Sequence, residues 1–181
     1  MKTSIYIATT LDGYIARENG ALDWLPGSDG HVDESMGDED YGYKEFMASV
    51  DTLVMGRNTY ELVIAFGNWP YHNKRVIVMS NSLNDVAHNA VLHSCPVETL
   101  YHDLLTSGAK HVYVDGGKTI QSFLMAGLID ELILTRIPVL IGTGIPLFGA
   151  LEQDCNLNHM ETRSYKNGFV QSTYAIRPAQ I

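Results

Sequence analysis

The chain is poor in cysteine, in basic residues and in long apolar runs. Its 2 cysteines, Cys95 and Cys155, match no metal-binding spacing and give no basis for a disulfide framework. The 12 basic residues are scattered among 21 acidic ones, for a formal net charge of -9. Nucleic acids and anionic membranes are therefore not expected as partners, because both require concentrated positive charge.

No segment approaches the ~20 apolar residues of a membrane span, and the N-terminus lacks the apolar region of a signal peptide. These absences favour a cytoplasmic protein that acts on a small-molecule substrate. With 181 residues, 45% of them hydrophobic, the chain is long enough to bury a full core. No repeat or linker divides it, so we expect residues 1–181 to form one domain.

The stretch Thr52–Glu61 predicts a strand, a tight turn and a helix. Its first four residues read as a buried strand that Gly56 ends, and Asn58 stands three residues before Glu61, the spacing of a capping box. The N–H groups of a helix start favour an anion, and Arg57 adds positive charge. One interpretation is a phosphate site. For this segment alone, the alternative is a simple turn with Arg57 paired to a surface carboxylate.

A second segment has the same organisation. The β-rich run His111–Asp115 is followed by Gly116-Gly117-Lys118-Thr119 and by an amphipathic helix over residues 119–126. Each glycine turn has a cation close by, and glycine allows the backbone to approach a ligand closely. Two such turns are able to bind one pyrophosphate from opposite sides.

Alternating strand and helix patterns predict a three-layer α/β fold, with a mainly parallel sheet and helices on both faces. The last two strands, 156–165 and 169–177, are expected to form an antiparallel hairpin. Residues 17–40 are rich in Gly, Asp, Ser and Pro, which predicts a lid over a ligand. The other predicted strands are 3–8, 52–55, 74–79, 90–92, 111–115 and 131–138, and the helices are 39–49, 60–66, 97–105 and 119–126.

Six segments follow one another in a characteristic order: Leu11–Ala16, Asp23–Leu25, Asp51–Glu61, Val114–Gly117, Gly127–Leu132 and Pro138–Phe148. This order resembles the dihydrofolate reductase-like superfamily, and more closely the branch of the riboflavin-biosynthesis reductase (RibD C-terminal) domain and its stand-alone relatives. The resemblance implies NADPH as cofactor and hydride transfer to a small heterocyclic, pterin- or ribosylaminopyrimidine-like substrate. It is also compatible with a homodimer.

The resemblance further implies which residues bind the cofactor. The phosphates are expected at Gly56, Arg57, Asn58 and Thr59, with Arg57 against the 2′-phosphate, and at Gly116, Gly117, Lys118 and Thr119. The remaining expected contacts are Ser80 and Asn81 on the adenosine side, Ala8, Ile15 and Ala16 near the nicotinamide, and Phe148 at the edge of the cofactor.

For the catalytic group, the chain departs from the dihydrofolate reductases. Those enzymes place a carboxylate on the helix after the lid loop, and the matching position here falls at Gly42. We predict Asp12 and Asp40 as catalytic acids; the alternatives are an ordinary Asp-Gly turn and a favourable charge at a helix N-terminus. Trp24 and Tyr43 are predicted to contact the substrate, although Trp24 is also suited to anchoring a loop.

Because no carboxylate stands at the expected position of the helix, the sequence also allows a second interpretation. The protein would then be a catalytically weak nucleotide-binding or regulatory module of the same fold. The seven histidines show no ligand-like spacing, so no metal site is predicted.

Overall fold

Strands and helices alternate in the computed structural model, which describes residues 1–26 and 39–176. The predicted elements are present, with ends that differ by a few residues. Their bounds are β1 Lys2–Thr10, β2 Tyr14–Ala16, α1 Tyr43–Ser49, β3 Thr52–Gly56, α2 Arg57–Ala65, β4 Arg75–Met79, β5 Ala90–His93, α3 Val97–Thr106, β6 His111–Asp115, α4 Gly117–Met125, β7 Glu131–Ile137, β8 Ile145–Pro146, β9 Leu157–Ser164 and β10 Val170–Ile176.

Eight of the strands form one sheet in the order β5-β4-β3-β6-β1-β7-β10-β9. All pairs from β5 to β7 are parallel, whereas β10 is antiparallel to both β7 and β9. The predicted fold class is therefore confirmed, including the antiparallel hairpin at the C-terminal edge. A second, two-stranded sheet joins β2 to β8. β8 was not among the predicted strands, because two residues leave no periodic signal.

Both faces of the large sheet are covered, which explains the unbroken apolar runs in its central strands. Along β3, Val54 belongs to one buried cluster while its neighbours Leu53 and Met55 belong to the other. Successive side chains point to opposite faces, so a strand covered on both sides needs apolar residues at every position. α3 and α4 contribute to the first cluster, and α1 and α2 to the second.

The predicted capping box at the start of α2 is wrong. The helix begins at Arg57, directly after β3, and Gly56 occupies the N-cap position without a side-chain cap. Asn58 is consequently already inside the first turn. The strand ends at Gly56 and the helix begins at the next residue. Gly56 still has an extended backbone, with φ -81 and ψ 166. This leaves the first N–H groups of α2 without a side-chain cap.

Part of the predicted lid lies outside the described residues, namely positions 27–38, as does the tail after Pro178. The described part is tied to the core. Arg17 donates to both carboxylate oxygens of Asp23, at 2.6 and 2.8 Å. Trp24 is buried and packs in a cluster with Ile137 and Phe169. The alternative that Trp24 anchors this loop therefore agrees with its packing.

The edge strand β9 is exposed along its entire length. Its pairing with β10 shifts register between Thr173 and Tyr174, which leaves Met160 as an extra residue, a β-bulge. Beside the bulge, Arg163 donates to both carboxylate oxygens of Glu161, at 2.8 and 3.0 Å. The edge thus combines a bulge with a charged pair.

The burial of two phenylalanines predicts a large difference in the stability lost when each is replaced by alanine. Phe123 of α4 is fully buried, whereas Phe66, just after α2, is 57% exposed. We expect Phe123→Ala to lower the free energy of unfolding by about 3–5 kcal/mol, because it leaves a cavity. The matched control Phe66→Ala should change it by less than about 0.5 kcal/mol. Urea titrations of both variants test this, and equal losses would contradict the assignment of α4 to the core.

Candidate active site

The two glycine turns lie against each other. Because β3 and β6 are parallel neighbours, their carboxyl ends meet at one edge of the sheet. A Cβ atom placed on Gly116 would lie 2.4 Å from Oγ1 of Thr59, and one on Gly56 would lie 2.8 Å from Oγ1 of Thr119. Each glycine therefore faces the threonine of the other turn. The two turns are therefore in contact at one edge of the sheet, and their binding of one pyrophosphate stays a prediction.

The second turn also contacts β2 and the segment around β8. A Cβ atom on Gly117 would lie 2.6 Å from Cδ1 of Ile15, which sits on this turn. Gln121 of α4 donates to the carbonyl oxygens of Pro146 and Leu147, both at 3.1 Å. Phe148 follows directly and is about half exposed. Ile15 and Phe148, predicted from resemblance, are thus brought to the same region as Gly117.

Arg57 lies over the turn that follows β4. Its Nη1 donates to Oγ of Ser82 at 3.1 Å, and Oγ of Ser80 accepts the backbone N–H groups of Ser82 and Leu83 at 3.1 and 3.0 Å. The carboxylate nearest to Arg57 is that of Glu61, at 3.9 Å and largely exposed, a contact of little energy. The guanidinium therefore remains available to a further anion.

The remaining predicted cofactor residues surround these turns. Asn58, Asn81 and Lys118 have exposed side chains, while Ala16 is buried and Ala8 half-buried. Ala8 is on β1 opposite Thr135 of β7. The structure brings the predicted set to the carboxyl end of the sheet, and the binding role of each residue stays a prediction.

The two acids predicted to be catalytic make structural hydrogen bonds. Oδ2 of Asp12 accepts the N–H groups of Ile141 and Gly142, at 3.1 and 2.8 Å. The hydroxyl of Thr10, assisted by these N–H groups, lowers the pKa of Asp12. Asp12 therefore carries a negative charge at neutral pH and holds residues 141–142 against the early turn.

Asp40 has a similar role at α1. Its carboxylate accepts the N–H groups of Lys44 at 2.9 Å and Gly42 at 3.2 Å. These bonds, that of Lys44 first, lower the pKa of Asp40. Like Asp12, Asp40 is ionised at neutral pH and poorly suited to donating a proton.

A third acid, Asp115, was not assigned a role from the sequence. It is the last residue of β6, directly before the second glycine turn. Burial raises the pKa of Asp115 to about 6, although hydrogen bonds from the Gly116 N–H group and the Tyr113 hydroxyl act to lower it. Oδ1 accepts that N–H group at 2.8 Å. A carboxyl at the end of a largely apolar strand, directly before a glycine turn, was the available signal, since carboxyls with shifted pKa values cluster at functional sites.

Three tyrosines face Asp115. Tyr113 is on the same strand, Tyr43 is the first residue of α1, and Tyr71 precedes β4. Burial is the main reason that the pKa of each phenol is raised, and Asp115 raises it further. The phenol of Tyr43 also raises the pKa of Tyr71. Asp115 thus faces the start of α1, where the resemblance implied an acid on the helix itself.

Trp24 supplies one further polar group. Its indole Nε1 is buried and has no hydrogen-bond partner in the described part of the chain. An unsatisfied buried donor is costly, which favours a ligand as its partner. The predicted substrate contact of Trp24 stays a prediction beside its packing role.

Within residues 1–26 and 39–176, no three His, Cys, Asp or Glu side chains are grouped to hold a metal ion. No helix of these residues is long and apolar enough to cross a membrane.

The sheet order, the paired turns and the hairpin define a dihydrofolate reductase-like fold. The chain belongs to the RibD C-terminal domain family, whose model matches residues 3–171. It is 35% identical over 167 residues to the uncharacterized protein YwjB of Bacillus subtilis (strain 168), covering 91% of this chain and 92% of that protein.

Solved structures agree with this assignment. A candidate riboflavin biosynthesis protein from Shewanella sp. PV-4 has a TM-score of 0.87 at 39% identity, over 98% of this chain and 99% of the other. Two more distant structures share the fold. A Thermotoga maritima diaminohydroxyphosphoribosylaminopyrimidine deaminase/5-amino-6-(5-phosphoribosylamino)uracil reductase has a TM-score of 0.70 at 15% identity, over 97% of this chain and 56% of that one. Enterococcus faecalis dihydrofolate reductase, complexed with NADP(H), has a TM-score of 0.66 at 19% identity, over 97% and 96%.

The contact between the turns predicts that replacing Gly116 by alanine destabilises the protein more than the same change at Gly127. Gly116 and Gly127 both have positive φ, at 90 and 67, but only Gly116 has a close neighbour in the space of a Cβ atom. Gly127→Ala should cost about 1–2 kcal/mol of stability, from the left-handed backbone alone. Gly116→Ala should cost more, because its methyl group also meets Thr59.

Thermal denaturation of these variants and of Thr59→Ala separates the two causes. Gly116→Ala combined with Thr59→Ala should cost less than the sum of the single losses, because the double variant removes the clash. Additive losses would mean that the turns are not in contact.

Proposed function

We propose that this protein is an NADPH-dependent reductase that transfers a hydride to a small heterocyclic, pterin- or ribosylaminopyrimidine-like substrate, with Asp115 as the proton donor. The observation that carries the proposal is the juxtaposition of two glycine turns with the partly buried carboxyl of Asp115, the residue directly before the second turn. The family and the reductase fold support it.

The described residues fit a dinucleotide phosphate. Close backbone approach at Gly56 and Gly116 forms a cradle in which a larger residue would clash. The free N–H groups at the start of α2 favour an anion, and Arg57 and Lys118 add positive charge. NADPH, when bound, supplies the hydride. Arg57 is the proposed partner of the 2′-phosphate that distinguishes NADPH from NADH.

Reduction of a C=N bond adds a hydride to carbon and a proton to nitrogen. A proton donor works best with a pKa near the working pH. Asp115, with a pKa of about 6, meets this condition, whereas Asp12 and Asp40 have lowered pKa values. In this proposal Asp115 donates the proton, while Asp12 and Asp40 position the residues that border the substrate.

A regulatory or nucleotide-binding module is the second candidate function. It is favoured by the absence of a carboxylate on α1 at the position that resemblance implies, where Gly42 stands. NADPH binding without NADPH oxidation across pterins, pyrimidines and quinonoid compounds would favour it.

A single domain over residues 1–181, a cytoplasmic location and a homodimer are also part of the proposal, and light scattering tests the dimer.

The cofactor proposal predicts selective stabilisation by NADPH. At about 100 times its dissociation constant, NADPH should stabilise the protein by about 2.7 kcal/mol, seen as a rise in melting temperature. Arg57→Ala should weaken NADPH binding roughly tenfold or more and leave NADH binding nearly unchanged, because it removes a charge-assisted contact to the extra phosphate.

Arg75→Ala is the matched control. Arg75 is also exposed and bonded to a serine, but it lies at the amino end of β4. Titrations of both variants with NADPH and with NADH test whether Arg57 contacts the 2′-phosphate. Equal losses for NADPH and NADH in Arg57→Ala would reject its 2′-phosphate role, and no stabilisation of the wild-type protein would reject the cofactor.

The proton-donor proposal predicts the behaviour of Asp115→Asn. Its kcat for NADPH oxidation should fall by about 10²–10⁴-fold with NADPH affinity retained, because general acid catalysis contributes that much. In the wild-type protein, the rate should decline as pH rises through about 6, since the donor must be protonated. Asp103→Asn, on the surface of α3, should have neither effect. Retention of full activity in Asp115→Asn would exclude this role.

Stability provides a second measurement for the same residue. Because the pKa of Asp115 is raised on folding, its contribution to stability is present below the unfolded pKa and is lost as pH rises through about 6. Unfolding free energies of the wild-type protein should therefore fall between pH 5 and 8 by more than those of Asp115→Asn. Parallel pH profiles would indicate that the pKa of Asp115 is not raised on folding.

A further inference from the structure

The chain enters α1 through two residues with a left-handed backbone. Tyr41 has φ 56 and Gly42 has φ 84. Glycine adopts this conformation freely, whereas a bulky residue such as tyrosine is strained in it. A strained residue keeps such a conformation only where its surroundings hold it in place. The contacts of Tyr41 therefore determine how α1 begins.

The C-terminal hairpin holds the side chain of Tyr41. Nδ2 of Asn167, in the connection between β9 and β10, donates to the Tyr41 hydroxyl at 2.8 Å. The ring stacks on that of Phe169, with centroids 5.4 Å apart, and meets the ring of Tyr165 edge-on at 4.8 Å. The hairpin thus fixes the ring of a residue that lies two positions before α1.

The carbonyl group of Tyr41 is held by a separate chain of hydrogen bonds. It accepts the hydroxyl of Tyr6, on β1, at 2.8 Å. A carbonyl oxygen only accepts, so the single hydrogen of the Tyr6 hydroxyl must point to Tyr41. The atom of Gln171 that lies 3.1 Å from the same hydroxyl oxygen must then be a donor, which identifies it as the amide nitrogen Nε2.

Gln171 is itself fixed in this orientation. It is on β10 and only 6% exposed. The second hydrogen of Nε2 goes to Oγ1 of Thr135 on β7, at 3.0 Å, and Oε1 accepts the Tyr165 hydroxyl at 3.3 Å. Hydrogen bonds therefore run in one direction, from Gln171 on β10 through Tyr6 on β1 to the backbone at the entry of α1.

The start of α1 carries a residue predicted to contact the substrate. Tyr43 is the first residue of the helix, and its ring packs edge-on against that of Tyr6 with centroids 5.4 Å apart. The Phe46 N–H group donates to the Gly42 carbonyl at 3.0 Å, so helical hydrogen bonding begins directly after Tyr41. A change in the backbone of Tyr41 would therefore move Tyr43.

We infer that Gln171 is a positioning residue: by directing the Tyr6 hydroxyl to the Tyr41 carbonyl, it sets the start of α1. It thereby sets the place of Tyr43 beside the substrate. The substrate contact rests on the proposed function, whereas the chain of hydrogen bonds does not. Gln171 acts through Tyr6 and Tyr41 rather than on the reacting groups.

Carbon-13 and nitrogen-15 NMR of the protein without ligands tests the inference. The carbonyl carbon of Tyr41 and the amide nitrogen of Gly42 belong to one peptide group, and their signals respond to the hydrogen bond that this carbonyl accepts. Tyr6→Phe removes the bond and Gln171→Leu removes the group that directs it, so both variants should shift the two signals in the same direction. The double variant should show the shift of Tyr6→Phe alone, because Gln171 acts through the Tyr6 hydroxyl.

Tyr60→Phe and Gln153→Leu are the matched controls. Tyr60→Phe removes another buried hydroxyl, which accepts the Ala87 N–H group at 2.6 Å. Gln153→Leu removes the amide of an exposed glutamine. Neither control should shift the signals of Tyr41.

Two further measurements test the inference by other means. In the wild-type protein, which needs no variant to fold, the hydroxyl proton of Tyr6 should show a nuclear Overhauser effect to the side-chain amide protons of Gln171. With a pterin or pyrimidine that the wild-type protein reduces, Gln171→Leu should raise the KM for that compound roughly tenfold and leave the KM for NADPH unchanged, because Tyr43 is displaced on the substrate side. A purely structural role of Gln171 would not separate the two KM values.

Unchanged signals of Tyr41 and Gly42 in Gln171→Leu would overturn the inference. The sum of the two single shifts in the double variant would overturn it as well, as would a missing Overhauser effect or an equal rise in both KM values. These outcomes are separable from those of the proposed function. If the wild-type protein oxidised no NADPH, the proposed function would fail, while the Tyr41 signals would still decide whether Gln171 directs the Tyr6 hydroxyl.

Discussion

The close contact between the glycine turns is the constraint on which the rest of the site depends. β3 and β6 pair so that Met55 lies opposite Asp115. The next residue on each strand is a glycine, and each glycine backbone meets a threonine of the other turn. Any larger residue at Gly56 or Gly116 would separate two helix starts. The register of two central strands therefore fixes the distance between the groups that would hold a diphosphate.

The same register places the partly buried Asp115. Asp115 is brought beside the first turn by strand pairing, and its carboxyl faces the start of α1 through Tyr43. In dihydrofolate reductases, by resemblance, the acid belongs to the helix. Here Asp40 precedes α1 and accepts N–H groups at its start, and the proposed proton donor is at the end of a strand.

Much of this architecture was predictable from local patterns. The central strands β3, β4 and β6 are short apolar runs ended by glycine or serine, and the two glycine turns were recognisable for the same reason. β8 and the start of α2 were not, because the first depends on pairing with β2 and the second on the extended conformation of Gly56. The ionisation of Asp115 was also beyond sequence patterns. Its pKa depends on burial in the folded chain, which the residues next to it in the sequence do not reveal.

The edge strand β9 has a consequence for behaviour in concentrated solution. An open edge offers unpaired backbone groups to any other chain, which is a common route to intermolecular β-sheet growth. The extra residue Met160 bends this edge, and Glu161 with Arg163 places charges beside the bend. An incoming strand would meet both an irregular backbone and a pair of charges that it must match. The sheet is therefore expected to end at β9 even when many copies of the protein are crowded together.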